Sequence, residues 1–214
     1  MSGRCLTCQL CLAGCRILCY QFCCCCLHEK KIPKTEVNVL MLGLQNAGKS
    51  HLLAELCNES TSDVVTTEGF SMKDISLSES ILHVKELGGS PKIIPYWNHY
   101  MDSRQQGIIF VVDGKTLENK ELCDRNSATL RDIFESDGLF QDIPLLVLIT
   151  KLTPVTTEES VDEIAAILDL KEICGDRPFN IGFTYDNDKT KSALELLVIA
   201  ITGPVHQEDE EEGG

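Results

Sequence analysis

Hydrophobic and polar positions follow three patterns along this chain, and each predicts a different kind of element. The first is the unbroken apolar run. Val37-Asn38-Val39-Leu40-Met41-Leu42, Gly107-Ile108-Ile109-Phe110-Val111-Val112-Asp113 and Pro144-Leu145-Leu146-Val147-Leu148-Ile149-Thr150 are nearly continuous, as parallel strands covered on both faces must be. The second is a pair of strand-like runs, Ser71 to Leu77 and Ile81 to Leu87, around Ser78-Glu79-Ser80, which predicts a hairpin. The third is helical spacing, from His51 to about Asn58 and over about 117–136, 157–168 and 189–201. Glu59-Ser60-Thr61-Ser62-Asp63 is too rich in turn formers to be anything but a loop. Strands alternating with helices predict a doubly wound α/β sheet.

The junction of the first strand and the first helix carries chemistry. Gly43-Leu44-Gln45-Asn46-Ala47-Gly48-Lys49-Ser50 fits the phosphate-binding pattern G-x-x-x-x-G-K-[ST]. Backbone N–H groups of such a turn wrap a phosphate, the Lys49 ammonium reaches the terminal phosphates, and the Ser50 hydroxyl holds Mg²⁺. A chance glycine–lysine turn is the bland alternative, and the strand before and helix after argue against it.

Composition then changes the picture at the two ends. The net charge of −14 is uneven: residues 1–34 sum to +4, residues 208–212 to −5, and the body to −13. An acidic body argues against nucleic acid as a partner, because phosphate backbones need positive surface. The basic N-terminal end suits an anionic membrane surface. Nine of twelve cysteines fall at positions 5, 8, 11, 15, 19, 23, 24, 25 and 26. A disulfide framework would spread through a domain, so the clustering predicts a reducing compartment. Cys57, Cys123 and Cys174 read as buried small apolar residues.

Three readings compete for the cysteine segment. Cys5-x-x-Cys8-x-x-Cys11-x-x-x-Cys15 has the spacing of an iron–sulfur cluster run, but Arg16 follows where Pro is usual and no second half exists. A transmembrane helix would carry Arg16 near mid-span at a cost of at least about 2.5 kcal/mol. Reversible S-acylation, with Cys19, Cys23, Cys24, Cys25 and Cys26 as acceptors beside the basic His28-Glu29-Lys30-Lys31, is the favoured reading. Ser2 stands where N-myristoylation needs glycine, and no secretory cleavage site is evident. The expected organisation is an anchor segment over 1–31, a domain over 36–203, and an acidic disordered tail over 204–214.

Four motifs in fixed order carry a resemblance. Gly43 to Ser50, Thr67-Glu68-Gly69-Phe70, Glu86-Leu87-Gly88-Gly89 and Tyr96-Trp97-Asn98-His99-Tyr100 stand where the ADP-ribosylation factor (Arf) branch of small GTPases reads GLDxAGKT, TxGF, DxGGQ and W-x-x-Y. The chain resembles that family well over about 36–152 and less over its last third. The resemblance implies a P-loop NTPase small-GTPase fold, a mixed, mostly parallel six-stranded sheet flanked by helices. It implies GTP or GDP as ligand with Mg²⁺. The loop amides and Lys49 would hold the phosphates, Ser50 and Thr67 the metal with Glu86 in its shell, and the Gly89 N–H would sense the terminal phosphate. Its implied partners are the cytoplasmic membrane surface (Golgi, endosomal or plasma membrane) and an effector or cytosolic domain of a membrane protein, with the cyclin M magnesium-transport mediators as one class.

The departures from that pattern are specific. Glu86 replaces the family's Asp, one methylene longer. Ser90 replaces the water-orienting Gln and is too short to hold an attacking water, so slow hydrolysis is expected. Thr150-Lys151-Leu152-Thr153 replaces N-K-x-D: Lys151 can pack over a base, but Thr153 has no carboxylate for it. Losing that pair of hydrogen bonds costs ~3 kcal/mol, or ~100-fold in affinity. Phe183-Thr184-Tyr185 also departs from the family's short base-contacting turn. Tyr96, Trp97 and Tyr100 read first as core aromatics, His99 as a capping or solvated residue and Asp113 as a strand-end turn residue. No His/Cys or carboxylate pair stands at catalytic spacing. The expected function is a membrane-tethered nucleotide switch. A pseudoGTPase scaffold is the alternative, and a GTPase driven by a partner is a third reading that Ser90 disfavours.

Overall fold

The structure is a computed structural model and describes residues 34–62, 67–100, 103–135, 142–152 and 161–203. The cysteine segment with its acylation sites, the acidic tail and Thr153 lie outside the described residues. In chain order the elements are β1 (Thr35–Leu42), α1 (Lys49–Leu56), β2 (Phe70–Ser76), β3 (Ser80–Leu87), a 3-10 turn (Ile94–His99), β4 (Gly107–Asp113), a second 3-10 turn (Gly114–Thr116), α2 (Lys120–Glu135), β5 (Leu145–Thr150), α3 (Val161–Ile167), α4 (Leu170–Cys174), β6 (Phe179–Phe183) and α5 (Asn187–Thr202).

The sheet has six strands in the order β2-β3-β1-β4-β5-β6. Only β2 runs antiparallel, against β3, and the other pairings are parallel. The apolar runs become the central strands because both of their faces are covered. Leu40 and Leu42, Ile108, Phe110 and Val112, and Leu145, Val147 and Ile149 face a core closed by α2, α3 and α4. The alternate residues Val39, Met41, Ile109, Val111, Leu146 and Leu148 face a second core closed by α1 and α5. Period-two alternation thus feeds two hydrophobic layers from the same strands.

β1 sits between β3 and β4. The chain turns to one side of β1 for the hairpin and crosses to the other for β4, so the carboxyl end of β1 opens on a topological switch point, where open α/β sheets bind ligands.

Three local expectations need correction. Phe179-Asn180-Ile181-Gly182-Phe183 is a strand that the hydrophobic pattern did not predict. Its glycine is demanded by packing: a Cβ at position 182 would lie 2.8 Å from the Ala193 Cβ of α5. The helix expected from 117 starts at Lys120, because Asp113 accepts from the Lys115 N–H and folds residues 114–116 into a 3-10 turn first. The aromatic trio does not go to the core together. A 3-10 turn has three residues per turn, so Ile94, Trp97 and Tyr100 share the inward face. Trp97 is 2% exposed while Tyr96, on the other side, is 55% exposed.

Candidate functional site

The loop between β1 and α1 is shaped by what presses on it. Gly43 has φ +143°, and a Cβ there would lie 2.3 Å from the Val111 carbonyl oxygen of β4. Only glycine lets the strand turn so close to its neighbour. Asn46 and Gly48 also have positive φ, which bends the loop back over the start of α1. The Lys49 ammonium, buried under this arch, donates to the Gly43 oxygen (2.9 Å) and the Leu44 oxygen (3.1 Å). Burial pushes its pKa down to about 8, and the Glu86 carboxylate partly offsets that. A cation held so far out of water favours an anion beside it.

Three oxygen-bearing side chains converge next to Lys49. The Ser50 hydroxyl lies 2.5 Å from Glu86 Oε1 and 3.1 Å from Thr67 Oγ1, and Thr67 Oγ1 lies 3.4 Å from the same Glu86 oxygen. They come from α1, the segment before β2 and the end of β3. Glu86 is 2% exposed, so its carboxylate is satisfied by these hydroxyls. Two hydroxyls and a carboxylate are hard oxygen donors and fit Mg²⁺. Ser50, Thr67 and Glu86 would hold the ion, which when bound would offset the negative charge of a phosphate in the loop. Among the described residues no group of three His, Cys, Asp or Glu side chains gathers elsewhere to hold a metal.

The segment after β3 is clasped between the loop and the strand opposite. The Gly88 N–H donates to the Gly69 oxygen (2.9 Å) and the Gly88 oxygen accepts from the Trp97 indole (2.8 Å). A Cβ on Gly88 would lie 2.4 Å from the Thr67 oxygen, and one on Gly89 would lie 2.1 Å from the Gly43 oxygen. Both segments that border the terminal-phosphate position therefore touch each other and the loop. Reading Trp97 as core alone missed its second role: the buried indole fixes the peptide that bears Gly89. Ser90 stands just before the 3-10 turn, its carbonyl accepting from the Ile93 and Ile94 N–H groups.

A cavity of about 480 Å³ joins these parts, a size usual for a ligand site. Gln45, Asn46, Gly48, Lys49, Ser50, Thr67, Glu86, Gly89 and Lys151 line it, together with His51, Thr61 and Gly88. Leu44 and Ala47 line a second cavity of about 290 Å³ on the other side of the loop. Gly43 contributes its carbonyl to Lys49.

At the far end Lys151, in a left-handed conformation, donates to the Asn46 oxygen and pairs with Asp113 Oδ2 at 2.7 Å. Asp113 is the strand-end turn residue expected of it and also fixes this ammonium. The motif comparison placed Thr150 where the family has Asn and gave it no role. It is buried, and its hydroxyl reaches the Ala47 oxygen (2.5 Å) and the Val112 oxygen (3.2 Å), fastening β5 to the phosphate loop and β4. Its sequence signal is that first position of the departed N-K-x-D motif, which says nothing of the carbonyls its hydroxyl reaches. Thr184 spends its N–H and its hydroxyl on the Ile149 oxygen, both at 3.1 Å. Tyr185 is half-exposed beyond it, with the Lys189 ammonium 4.6 Å from its ring centre.

The arrangement of glycine arch, buried lysine, oxygen triad and clasped glycines is that of a phosphate-binding loop with a place for a divalent cation beside it. A model of the ADP-ribosylation factor family matches residues 24–198. The chain belongs to the ADP-ribosylation factor family. Among curated relatives of this Arf-family chain, ADP-ribosylation factor-like protein 15 of Mus musculus is 40% identical over 102 residues, 48% of each chain. The Homo sapiens protein of that name is 40% identical over 109 residues, 51% of this chain and 52% of its own. The match thus spans about half the length of those relatives. ADP-ribosylation factor-like protein 3 of Chlamydomonas reinhardtii is 34% identical over 71% of this chain and 81% of its own. Among solved structures, the Arl6 small GTPase of Trypanosoma brucei with bound GppNp aligns with a TM-score of 0.62 at 21% identity, over 77% of this chain and 98% of that one. The mammalian SRP receptor aligns with a TM-score of 0.56 at 15% identity, over 75% and 99%. These two speak for the fold alone. Membership makes the chain an Arf-like small GTPase, of a family that binds GTP and GDP, as the motif resemblance implied.

Proposed function

We propose that this Arf-family chain is a membrane-tethered switch or adaptor in membrane trafficking or transporter regulation, which holds a guanine nucleotide with Mg²⁺ and hydrolyses it slowly. One observation carries the reading: Ser50, Thr67 and Glu86, from three separate segments, meet within 2.5–3.4 Å beside the buried Lys49. Ser50, Thr67 and Glu86 would hold a cation there and so tie the segment before β2 to the phosphate loop, and loss of a terminal phosphate would release Thr67 and Gly89 together. Slow turnover is supported by Ser90, whose side chain cannot span the distance to an attacking water. The partner would read residues 67–70 and 88–100, and cytosolic domains of membrane proteins, cyclin M mediators included, are the class proposed.

The test is the nucleotide content of full-length protein purified with Mg²⁺, read by denaturation and chromatography, then by titration with GTP, GDP and ATP analogues. Bound GTP or GDP, turned over slowly, is the expected result. Protein that is empty and binds none of them is a pseudoGTPase scaffold, and the switch reading fails.

Tethering rests on the cysteine cluster and its basic flank. Replacing the nine N-terminal cysteines by serine is expected to move the protein from the membrane pellet to the soluble fraction. Unchanged fractionation, or no hydroxylamine-sensitive acyl label on the unaltered protein, rules acylation out.

A further inference from the structure

Gln45 stands on the phosphate loop with its side-chain amide uncommitted. A Cβ placed on Gly89 would lie 2.8 Å from the Gln45 nitrogen, so the two main chains touch where the terminal phosphate would sit. The Gln45 side chain starts from that contact and is exposed. It lines the cavity of about 480 Å³ shared with Lys49 and Ser50, and also the cavity of about 290 Å³ across the loop, beside Pro91 and Asn126. Among the described residues no group takes its oxygen or its NH₂.

Two departures from the family pattern meet at this point. Ser90, the residue after Gly89, has lost the amide that would hold an attacking water, while Gln45 brings an amide to the place where GLDxAGKT has an aspartate. A carboxylate there would repel a terminal phosphate, and a neutral amide does not. The remaining polar groups of the cavity have other work. Ser50, Thr67 and Glu86 face one another, Lys49 lies under the arch, and Lys151 is tied to Asp113 at the far end. Asn46, the next amide, is one methylene shorter, and its peptide is drawn to Lys151.

We propose that Gln45 is the catalytic amide of this chain and positions the attacking water that Ser90 cannot reach. An amide accepts and donates at once: Oε1 accepts from the water and Nε2 donates to a terminal-phosphate oxygen. The water oxygen bonds to the γ-phosphorus as the bond from phosphorus to the bridging oxygen breaks. The nucleoside diphosphate leaves with that electron pair, and a proton of the water passes to a γ-phosphate oxygen. Gln45 takes up no charge and supplies orientation alone. Its side chain must give up rotamer freedom to do so, which keeps turnover slow. The inference rests on the reading that this chain holds GTP with Mg²⁺, and adds the group that turns it over.

The experiment is single-turnover hydrolysis of γ-phosphate-labelled GTP loaded on full-length protein with Mg²⁺, with nucleotide dissociation measured in parallel. Gln45→Ala, and Gln45→Met with similar length and no amide, are each expected to slow hydrolysis about 10-fold or more while dissociation changes by less than about 3-fold. Hydrolysis that is unchanged or faster in either variant overturns the inference alone. So does dissociation that speeds up in step with the loss of rate, because Gln45 would then merely support the loop. Bound GTP that the unaltered protein never hydrolyses also overturns it and leaves the switch reading standing. Protein that binds no GTP overturns both.

Discussion

Lys49→Met is expected to weaken nucleotide binding by more than 100-fold while making the nucleotide-free domain more stable. The opposed signs follow from one fact. The Lys49 ammonium is buried with carbonyl oxygens as its hydrogen-bond acceptors, and burial holds its pKa at about 8. Two charge-assisted hydrogen bonds to phosphate oxygens are worth about 1.5–3 kcal/mol each, so their loss costs two decades or more in affinity. Without phosphate the same charge is a burden, because its folded-state pKa lies below the usual 10.5. Between pH 8 and 10.5 the unfolded chain holds a proton that the folded one has released, so stability rises with pH across that window and the penalty is complete below it. Burial raises the Cys57, Cys123 and Cys174 thiols and acts with the opposite sign over the same range, so the readout is the difference: in thermal denaturation from pH 7 to 10 the advantage of nucleotide-free Lys49→Met over the unaltered protein should shrink as pH rises. Equal pH profiles for both proteins would mean that Lys49 is solvated in the free state.

Gly89→Ala is expected to separate the segment after β3 from the phosphate loop. The added Cβ would meet the Gly43 oxygen at 2.1 Å, the Leu44 carbonyl carbon at 2.6 Å and the Gln45 nitrogen at 2.8 Å. All three are backbone atoms of a loop already fixed from behind by Val111, so none can swing aside as a flexible side chain would. The segment must move, and it carries the Gly88 carbonyl away from the Trp97 indole. Trp97 is the chain's one tryptophan, which makes its emission a direct report. A red shift and stronger acrylamide quenching are expected, together with loss of any difference between triphosphate- and diphosphate-bound emission. Losing a buried hydrogen bond of this kind adds a cost of about 1–3 kcal/mol. Unchanged emission, with the nucleotide response intact, would show that the clasp is not what couples the two segments.

How much of this was legible in the chain varies with the distance over which each residue finds its partner. Lys49 and Ser50 were readable because the phosphate loop is a local device, in which eight consecutive residues fix the turn, the cation and the hydroxyl together. Tyr96, Trp97 and Tyr100 were misassigned as a group, because spacing does not say whether a short turn winds with 3.0 or 3.6 residues. Ile94-Pro95 and the carbonyl of Ser90 start it as a 3-10 turn, and that alone sorts Trp97 inward from Tyr96 outward. β6 escaped notice because Asn180 and Gly182 weaken its pattern, and the reason for the glycine lies on α5. Thr150 was visible as a motif position but not in its role, for the same cause: its acceptors belong to residues 47 and 112.

By itself, then, the sequence determined the order of β1 to β5, the buried central strands, the phosphate loop and the uneven ends, since these depend on periodicity, run length and local spacing. The motif resemblance had already grouped Thr67 and Glu86 with Ser50, and the tertiary structure supplied their contacts; only the tertiary structure decided that Trp97 holds Gly88, which is bonded to Gly69, and that Lys85 stands beside Phe70 and Tyr100. Those contacts join residues 9 to 36 apart in sequence, and their geometry follows from strand order and register, which no local pattern of side chains specifies.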